Sequence, residues 1–244
     1  PTVEPGSGQP VGAEALVRWH HPKWGLVLPL EFVPVAEDSG LIKPLGRLVL
    51  EQAVSQLAAW DAQADGPRLG VLAVNLSARQ LDDEATSAMV SDVLGAHAVA
   101  PGRLSLEVTE SAVMADSPRT RRTLDGFRAL GARVAIDDFG TGYSSLAYLH
   151  TLPVTTVKVD RSFVERLGSA DDSTPVVRAI VEMAHAMGLR VVAEGVSSER
   201  LQAMVATMGC EAAQGFYWSP ALPANEFAAW WGEAQRRSAA PLGQ

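Results

Sequence analysis

The chain is 244 residues long, with 47% hydrophobic and 20% charged residues, the composition of an ordinary globular domain rather than of a disordered or collagen-like chain. Its formal net charge of -8 argues against a nonspecific nucleic-acid binder, because affinity for the phosphate backbone comes from clustered Lys and Arg. No apolar run approaches the ~18 residues of a membrane span, and the opening PTVEPGSGQP lacks the basic and apolar regions of a signal peptide.

Short β-rich apolar runs alternate with longer helical stretches. Val11 to Trp19 reads as the first full strand. His20 and His21 before Pro22 read as turn residues rather than metal ligands, since neighbours on an extended segment point apart. Leu50, Ala53, Val54 and Leu57 then share one face of an amphipathic helix. Strands follow at Leu69 to Leu76 and Leu104 to Thr109. Ser117 before Pro118 predicts an N-cap and first helical residue, and Gly131 closes that helix. After strands at Arg133 to Ile136 and Thr155 to Val159, Ser173 or Thr174 before Pro175 opens a helix that Gly188 ends. Arg190 to Ala193 is a strand, Ser197 or Ser198 opens the next helix, Gly209 closes it, and Cys210 to Phe216 is the last strand. Met183, Met204 and Cys210 read as core filler. The single Cys210 forms no internal disulfide, which fits a reducing compartment such as the cytoplasm and would also fit a cysteine-poor periplasmic protein. Trp230 and Trp231 read as packing of a terminal helix, an exposed pair being able instead to serve a dimer interface, and Ser238 to Gln244 reads as a frayed tail or linker remnant.

Strand, loop, helix is the repeating unit of a parallel sheet with crossover helices. The length suits one α/β barrel over residues 1–237, followed by the tail 238–244. Nearly every apolar run ends in a carboxylate, an amide or a lysine: Glu14, Asn75, Glu107 with Glu110, Asp137 with Asp138, Lys158 with Asp160, Glu194 and Gln214. In a (β/α)8 barrel those ends meet on the face that carries active sites. Acids crowded there raise one another's pKa unless cations compensate them. Glu, Asp and Asn ligands without Cys or paired His suit hard ions such as Mg2+ or Mn2+ rather than zinc or copper. The adjacent Asp137 and Asp138 would let one carboxylate bridge two ions about 3.5–4 Å apart, which suits in-line displacement at a phosphodiester.

In chain order, Glu14-Ala15-Leu16 within GAEALVRW, NLS at Asn75, EVTES at Glu107, DDFGTGYSSL from Asp137, KVD at Lys158, AEGV at Glu194 and QGF at Gln214 resemble the EAL domain family of cyclic di-GMP phosphodiesterases. No single tripeptide is specific, but the ordered set spans essentially the whole chain. The resemblance implies a TIM-like (β/α)8 barrel of the EAL type that opens cyclic di-GMP to linear 5′-pGpG with two Mg2+ or Mn2+ ions. It implies that Glu14, Asn75, Glu107 and Asp137 hold one ion, and Asp137, Asp138 and Glu194 the other. Lys158 then orients the attacking water with Gln214 beside it, and Glu14 and Glu194 complete the catalytic set. Glu110 braces the loop Phe139 to Ser145, in which Gly140 and Gly142 permit the bends of a lid. Leu16, Arg18, Asn75, Asp138 and Phe216 face the substrate, with Arg18 on a phosphate. A homodimer through barrel helices is also implied, as is an N-terminal sensor or GGDEF domain in a longer protein, any membrane tether belonging to those other parts. Two departures stand out. Family members open on a strand carrying an aromatic-Gln-Pro sequence, whereas this sequence opens at Pro1, so a shortened first strand is expected. A second acid common after AEGV is replaced by Ser197, which reads as a helix N-cap.

Rival readings remain at this level. Arg18 could serve as an ion-pair partner for the acids instead of a phosphate ligand. The domain could be a catalytically silent EAL-like receptor for cyclic di-GMP or a protein-interaction module, although such domains are expected to lose metal ligands and these are all present. Enolate-forming barrels also carry acids and a Lys at strand ends, but the doubled Asp137-Asp138 and Arg18 favour a phosphodiester.

Overall fold

A computed structural model of the chain describes residues 1–63, 66–115, 117–142 and 149–239. It opens with strands β1 (Thr2–Val3), β2 (Pro10–Ala15), β3 (Trp19–His21) and β4 (Gly25–Val27), then helices α1 (Pro29–Ser39) and α2 (Ile42–Ala62). Next come β5 (Val71–Asn75), α3 (Ala78–Leu81), α4 (Ala85–Ala96), β6 (Leu104–Thr109), α5 (Glu110–Met114), α6 (Pro118–Leu130) and β7 (Arg133–Phe139). The last described part holds β8 (Thr156–Val159), α7 (Arg161–Val164), α8 (Thr174–Ala186), β9 (Arg190–Ala193), α9 (Glu199–Thr207), β10 (Ala212–Ala213) and α10 (Ala224–Ala239).

Eight strands close a barrel in the order β1-β10-β9-β8-β7-β6-β5-β2. The expected α/β barrel is present, with one qualification: β1 runs antiparallel to both β10 and β2, while every other neighbouring pair is parallel. Alternation along each strand gives the barrel its two surfaces. Leu72 and Val74, Leu104, Leu106 and Val108, Val134 and Ile136, Val157 and Val159 turn outward against the helices and are almost fully buried. Burying each such side chain contributes about 1.5–3 kcal/mol. The intervening positions Gly12, Ala73, Ser105 and Ala135 face inward and are small, which leaves room in the barrel for longer side chains one step further along each strand.

Helix signals in the sequence are met closely. Leu50, Ala53, Val54 and Leu57 form the buried face of α2. The Ser117 side chain accepts from the Arg119 N–H at 3.2 Å, and Gly131 takes the left-handed conformation that ends α6. Ser173 precedes α8, and Gly188 follows its last turn at φ 73°. Of Ser197 and Ser198, it is Ser198 that caps α9, accepting from the Leu201 N–H at 3.3 Å, while Ser197 is exposed. In α10 the Phe227 ring stacks on Trp230 and meets Trp231 at a tilt, and Trp230 Nε1 donates to the Trp218 carbonyl at 3.2 Å, so the tryptophan pair is packing. Helix α10 runs to Ala239, into the stretch expected as tail from Ser238; residues 240–244 lie outside the described residues.

Two strands differ from expectation. The run Val11 to Trp19 is divided: β2 ends at Ala15, and β3 pairs with β4 in a separate antiparallel hairpin. The cause is local. Gly25 at φ 71° closes a tight turn, and His21 Nδ1 accepts from the Lys23 and Trp24 N–H groups at 3.1 and 3.3 Å. His20 and His21 therefore lie in β3, with His21 also holding the turn. The last strand is only Ala212–Ala213, because Val196 diverts the chain, donating to the Gln214 carbonyl and accepting from the Tyr217 N–H.

Candidate metal centre

The parallel register brings the strand ends to a common level. Asn75 lies opposite Glu107, Thr109 opposite Asp137, Lys158 opposite Val192 and Val159 opposite Ala193. Period-two alternation then turns Glu14, Asn75, Glu107, Asp137 and Lys158 inward at the rim. Helix α5 begins directly after β6, its Thr109 side chain capping the Ala112 N–H, and this carries Glu110 under the loop after β7.

Lys158 is the hub. Its side chain is 2% exposed, and Nζ lies 2.7 Å from Glu107 Oε2, 2.7 Å from Glu194 Oε1, 3.1 Å from Asp137 Oδ1 and 3.5 Å from Glu14 Oε2. Two amides complete the network. Asn75 Nδ2 donates to Glu14 Oε1 at 2.6 Å, and Gln214 Nε2 donates to both Glu14 Oε2 and Glu194 Oε1 at 2.9 Å. Asp138 follows at φ 55°, a strained angle for a non-glycine residue, and its N–H donates to Asp137 Oδ1 at 3.0 Å. Strain of this kind concentrates at functional sites, where the surroundings hold it in place.

One ammonium cannot neutralise these acids. Burial pushes the Glu107 carboxyl well above the ordinary range; Lys158 opposes this, while Glu14 and Asp137 add to it. Burial likewise raises Glu194 to about 7. Asp138 is raised by burial and then by the charges of Asp137 and Asp160. Glu14 moves the other way: burial would raise it, but Lys158, Gln214 and Asn75 together bring it below its usual value. For Lys158 desolvation favours the neutral amine, yet Glu107, Glu14, Glu194 and Asp137 outweigh it and hold the charge firmly. The cluster therefore carries excess negative charge that retains protons when no other cation is present.

That excess makes the residues fit divalent cations. Oxygen atoms of Asp137, Asp138 and Glu194 lie within 4.8 Å of one another. All the donors are oxygens, the chemistry of Mg2+ and Mn2+. On the Lys158 side, Asn75 uses its Nδ2 on Glu14 and leaves its Oδ1 for a cation.

The predicted residues are thus largely brought together: Glu14, Asn75, Glu107, Asp137, Lys158, Glu194 and Gln214 form one network, with Asp138 beside it. Glu110 is buried, and its Oε2 accepts from the Gly140 N–H at 2.9 Å. A β-carbon on Gly142 would lie 2.7 Å from Glu110 Oε1, so that glycine lets the loop settle on the carboxylate. Tyr143 to Ser145 of the expected lid lie outside the described residues. Leu16 and Phe216 are exposed near the rim, at 45% and 75%. Arg18 donates to the Val17 carbonyl at 2.8 Å and makes no ion pair among the described residues. Sequence reasoning missed how the chain after β8 contacts the two loops that adjoin Asp138 and Glu194. Its signal was present in Gly140 and Gly195, each directly following or closely following an acid of the cluster.

Residues 1–221 match the family model of the EAL domain. The bifunctional diguanylate cyclase/cyclic di-GMP phosphodiesterase MucR of Pseudomonas aeruginosa is 40% identical over 231 residues, covering 94% of this chain and 33% of MucR. A cyclic di-GMP phosphodiesterase of the same organism is 38% identical over 216 residues, covering 88% of this chain and 36% of that protein. The chain spans about a third of the length of the curated relatives it matches, from 26% to 36%. Among solved structures, the MucR phosphodiesterase in complex with cyclic di-GMP is 40% identical with a TM-score of 0.86, covering 93% of this chain and 91% of that one. The EAL enzyme Bd1971 with cAMP and cyclic di-GMP bound is 32% identical with a TM-score of 0.88, covering 95% of this chain and 63% of that one.

Proposed function

The chain belongs to the EAL domain family, and from that premise we propose that it hydrolyses cyclic di-GMP to linear 5′-pGpG. The observation that carries the reading is the complete, converging set of acids around Lys158 at the barrel rim. Similarity to the MucR phosphodiesterase and its cyclic di-GMP complex supports the choice of substrate.

Glu14, Asn75, Glu107 and Asp137 would hold one divalent ion, and Asp137, Asp138 and Glu194 a second. Bound there, Mg2+ or Mn2+ would supply Lewis acidity, activating water and neutralising charge on the phosphoryl oxygens. In the reaction, water attacks a phosphorus, the bond to the leaving 3′ oxygen breaks, and the product keeps a 5′-phosphate. Lys158 keeps its positive charge at the buried centre of the site, and an N–H released from one of its carboxylate partners would orient the attacking water. Gln214, fixed between Glu14 and Glu194, orients both carboxylates. Arg18, without an ion-pair partner among the described residues, is available for a substrate phosphate, and Leu16 and Phe216 offer apolar surface at the mouth. Glu110 holds the start of the lid loop through Gly140. The unit of function is the barrel domain, expected over residues 1–237 with α10 running on to Ala239, acting as a homodimer in the cytoplasm as part of a longer protein.

Incubating the purified chain with cyclic di-GMP and Mn2+ tests this directly. Linear pGpG that accumulates with Mn2+ and not with EDTA is the expected result. Tight binding of cyclic di-GMP with no linear product would overturn hydrolysis in favour of a silent receptor.

A further inference from the structure

Asp137 and Asp138 lie at the end of β7, just ahead of the loop that starts at Gly140, Glu194 opens the loop after β9, and β8 lies between those strands in the barrel. The chain leaving β8 touches both loops. Asp160 caps the short helix α7 by accepting from the Ser162 N–H at 2.9 Å, and the side chains on either side of Ser162 reach different neighbours. Phe163 packs on Gly140, two residues after Asp138: a β-carbon there would come within 2.9 Å of Phe163 Cε2. The stem of Arg161 lies on Gly195, the residue after Glu194, where a β-carbon would overlap Arg161 Cγ and sit 2.8 Å from its Cβ. Both glycines have positive φ, 101° and 71°, so each loop bends where the α7 side chain meets it.

Helix α7 is itself anchored. Val164 is fully buried, and the Ser173 hydroxyl donates to the Phe163 carbonyl. The Arg161 head group turns outward: its side chain is 65% exposed and pairs with Glu165 at 3.2 Å. An exposed pair of this kind contributes little, so the part of Arg161 that matters to the site is its methylene stem.

We propose that Arg161 and Phe163 are positioning residues whose side chains wedge the loops after β7 and β9 and so set the separation of Asp138 from Glu194 for a divalent ion. This rests on the reading of those acids as a metal site. The test is Mn2+ titration by calorimetry of the wild-type chain, Arg161→Ala, Arg161→Met, Glu165→Gln, Phe163→Ala and Phe163→Leu, with thermal melts confirming that each is folded at the titration temperature. Losing support behind metal ligands weakens binding by about 10–100-fold, and that loss is expected for Arg161→Ala and Phe163→Ala. Arg161→Met keeps the stem, Phe163→Leu keeps apolar bulk on Gly140, and Glu165→Gln removes only the ion-pair partner; all three are expected within about threefold of wild type. Wild-type affinity in Arg161→Ala, or a loss in Arg161→Met equal to that in Arg161→Ala, overturns the wedge. Should Phe163→Ala fail to fold, the two Arg161 variants decide alone. A wild-type chain that binds no Mn2+ overturns the metal reading itself and the wedge with it, an outcome distinct from unchanged binding in the variants.

Discussion

Lys158→Met removes the one ammonium at the centre of the cluster while keeping nearly the same length and bulk. Nζ stands 2.7–3.5 Å from four carboxylates. At an effective dielectric of about 20, each such contact carries about 5–6 kcal/mol of gross attraction. Desolvation of the ammonium and repulsion among the acids consume most of it, so the gross figure is not the effect of the mutation. Breaking a buried pair by removing one partner costs about 3–5 kcal/mol, because the other charge stays buried without compensation. For a chain of this length each kcal/mol moves Tm by about 2–4 °C, so the variant is expected to melt roughly 6–20 °C lower in EDTA at pH 8. The sign with pH follows from the raised carboxyls. An acid whose folded pKa lies above its unfolded value adds stability that is complete below the unfolded pKa and disappears as pH rises through the folded one. Burial already raises Glu107 and Glu194, and loss of the ammonium raises them further, so the deficit is expected to shrink at pH 5.5. Saturating Mn2+ is expected to restore part of the loss, since a dication replaces the missing charge. Circular dichroism melts of both proteins, at both pH values and with EDTA or Mn2+, measure all of this. A variant that melts within about 2 °C of wild type at pH 8 without metal refutes the account of Lys158 as the compensating charge.

Other outcomes are expected from the same site. Glu14→Ala should lower pGpG formation by at least about a thousandfold, since the ligands act as a unit, with the protein still folded but Tm somewhat lower because Lys158, Gln214 and Asn75 stabilise the Glu14 charge and lose that partner; near-normal turnover contradicts the assignment. Mn2+ affinity should fall as pH drops below about 7, because Glu194 then binds a proton that the cation must displace, by up to about tenfold per pH unit; a flat calorimetric profile between pH 6 and 8 in buffered titrations would count against Glu194 as a ligand. Gly142→Ala should reduce kcat at least about tenfold with a smaller change in Mn2+ affinity, because a β-carbon 2.7 Å from Glu110 Oε1 displaces the loop rather than the acids. Sedimentation velocity across a concentration series should show a dimer; monomer at every concentration removes that part of the proposal.

How much of this was legible beforehand follows the physics of each feature. Outward Leu106, Val134 and Val157 repeat with period two and sit in unbroken apolar runs, so strands were recognisable, and Ser117-Pro118 with Gly131 marks a helix by chemistry local to its ends. Where a boundary depended on distant partners, the local signal failed. Residues after Ala15 are as β-prone as those before it, yet the barrel neighbour β5 ends at Asn75, and the chain turns away to pair Trp19–His21 with Gly25–Val27. Similarly, Gln214 to Phe216 leave the sheet because Val196 captures the backbone on either side, at Gln214 and Tyr217.

Residue types and their order along the chain determined that acids, amides and one lysine would gather at a single rim, because strand period and strand-end position are properties of the chain itself. Tertiary structure alone decided which of them touch: that Lys158 meets four carboxylates at once, that Gln214 joins Glu14 to Glu194 across the closure of the barrel, and that Arg161 and Phe163 sit against glycines of two other loops. Contacts of that kind depend on strand order, stagger and backbone bends at Gly140 and Gly195, which are set by packing over the whole barrel and leave no periodic trace in the sequence.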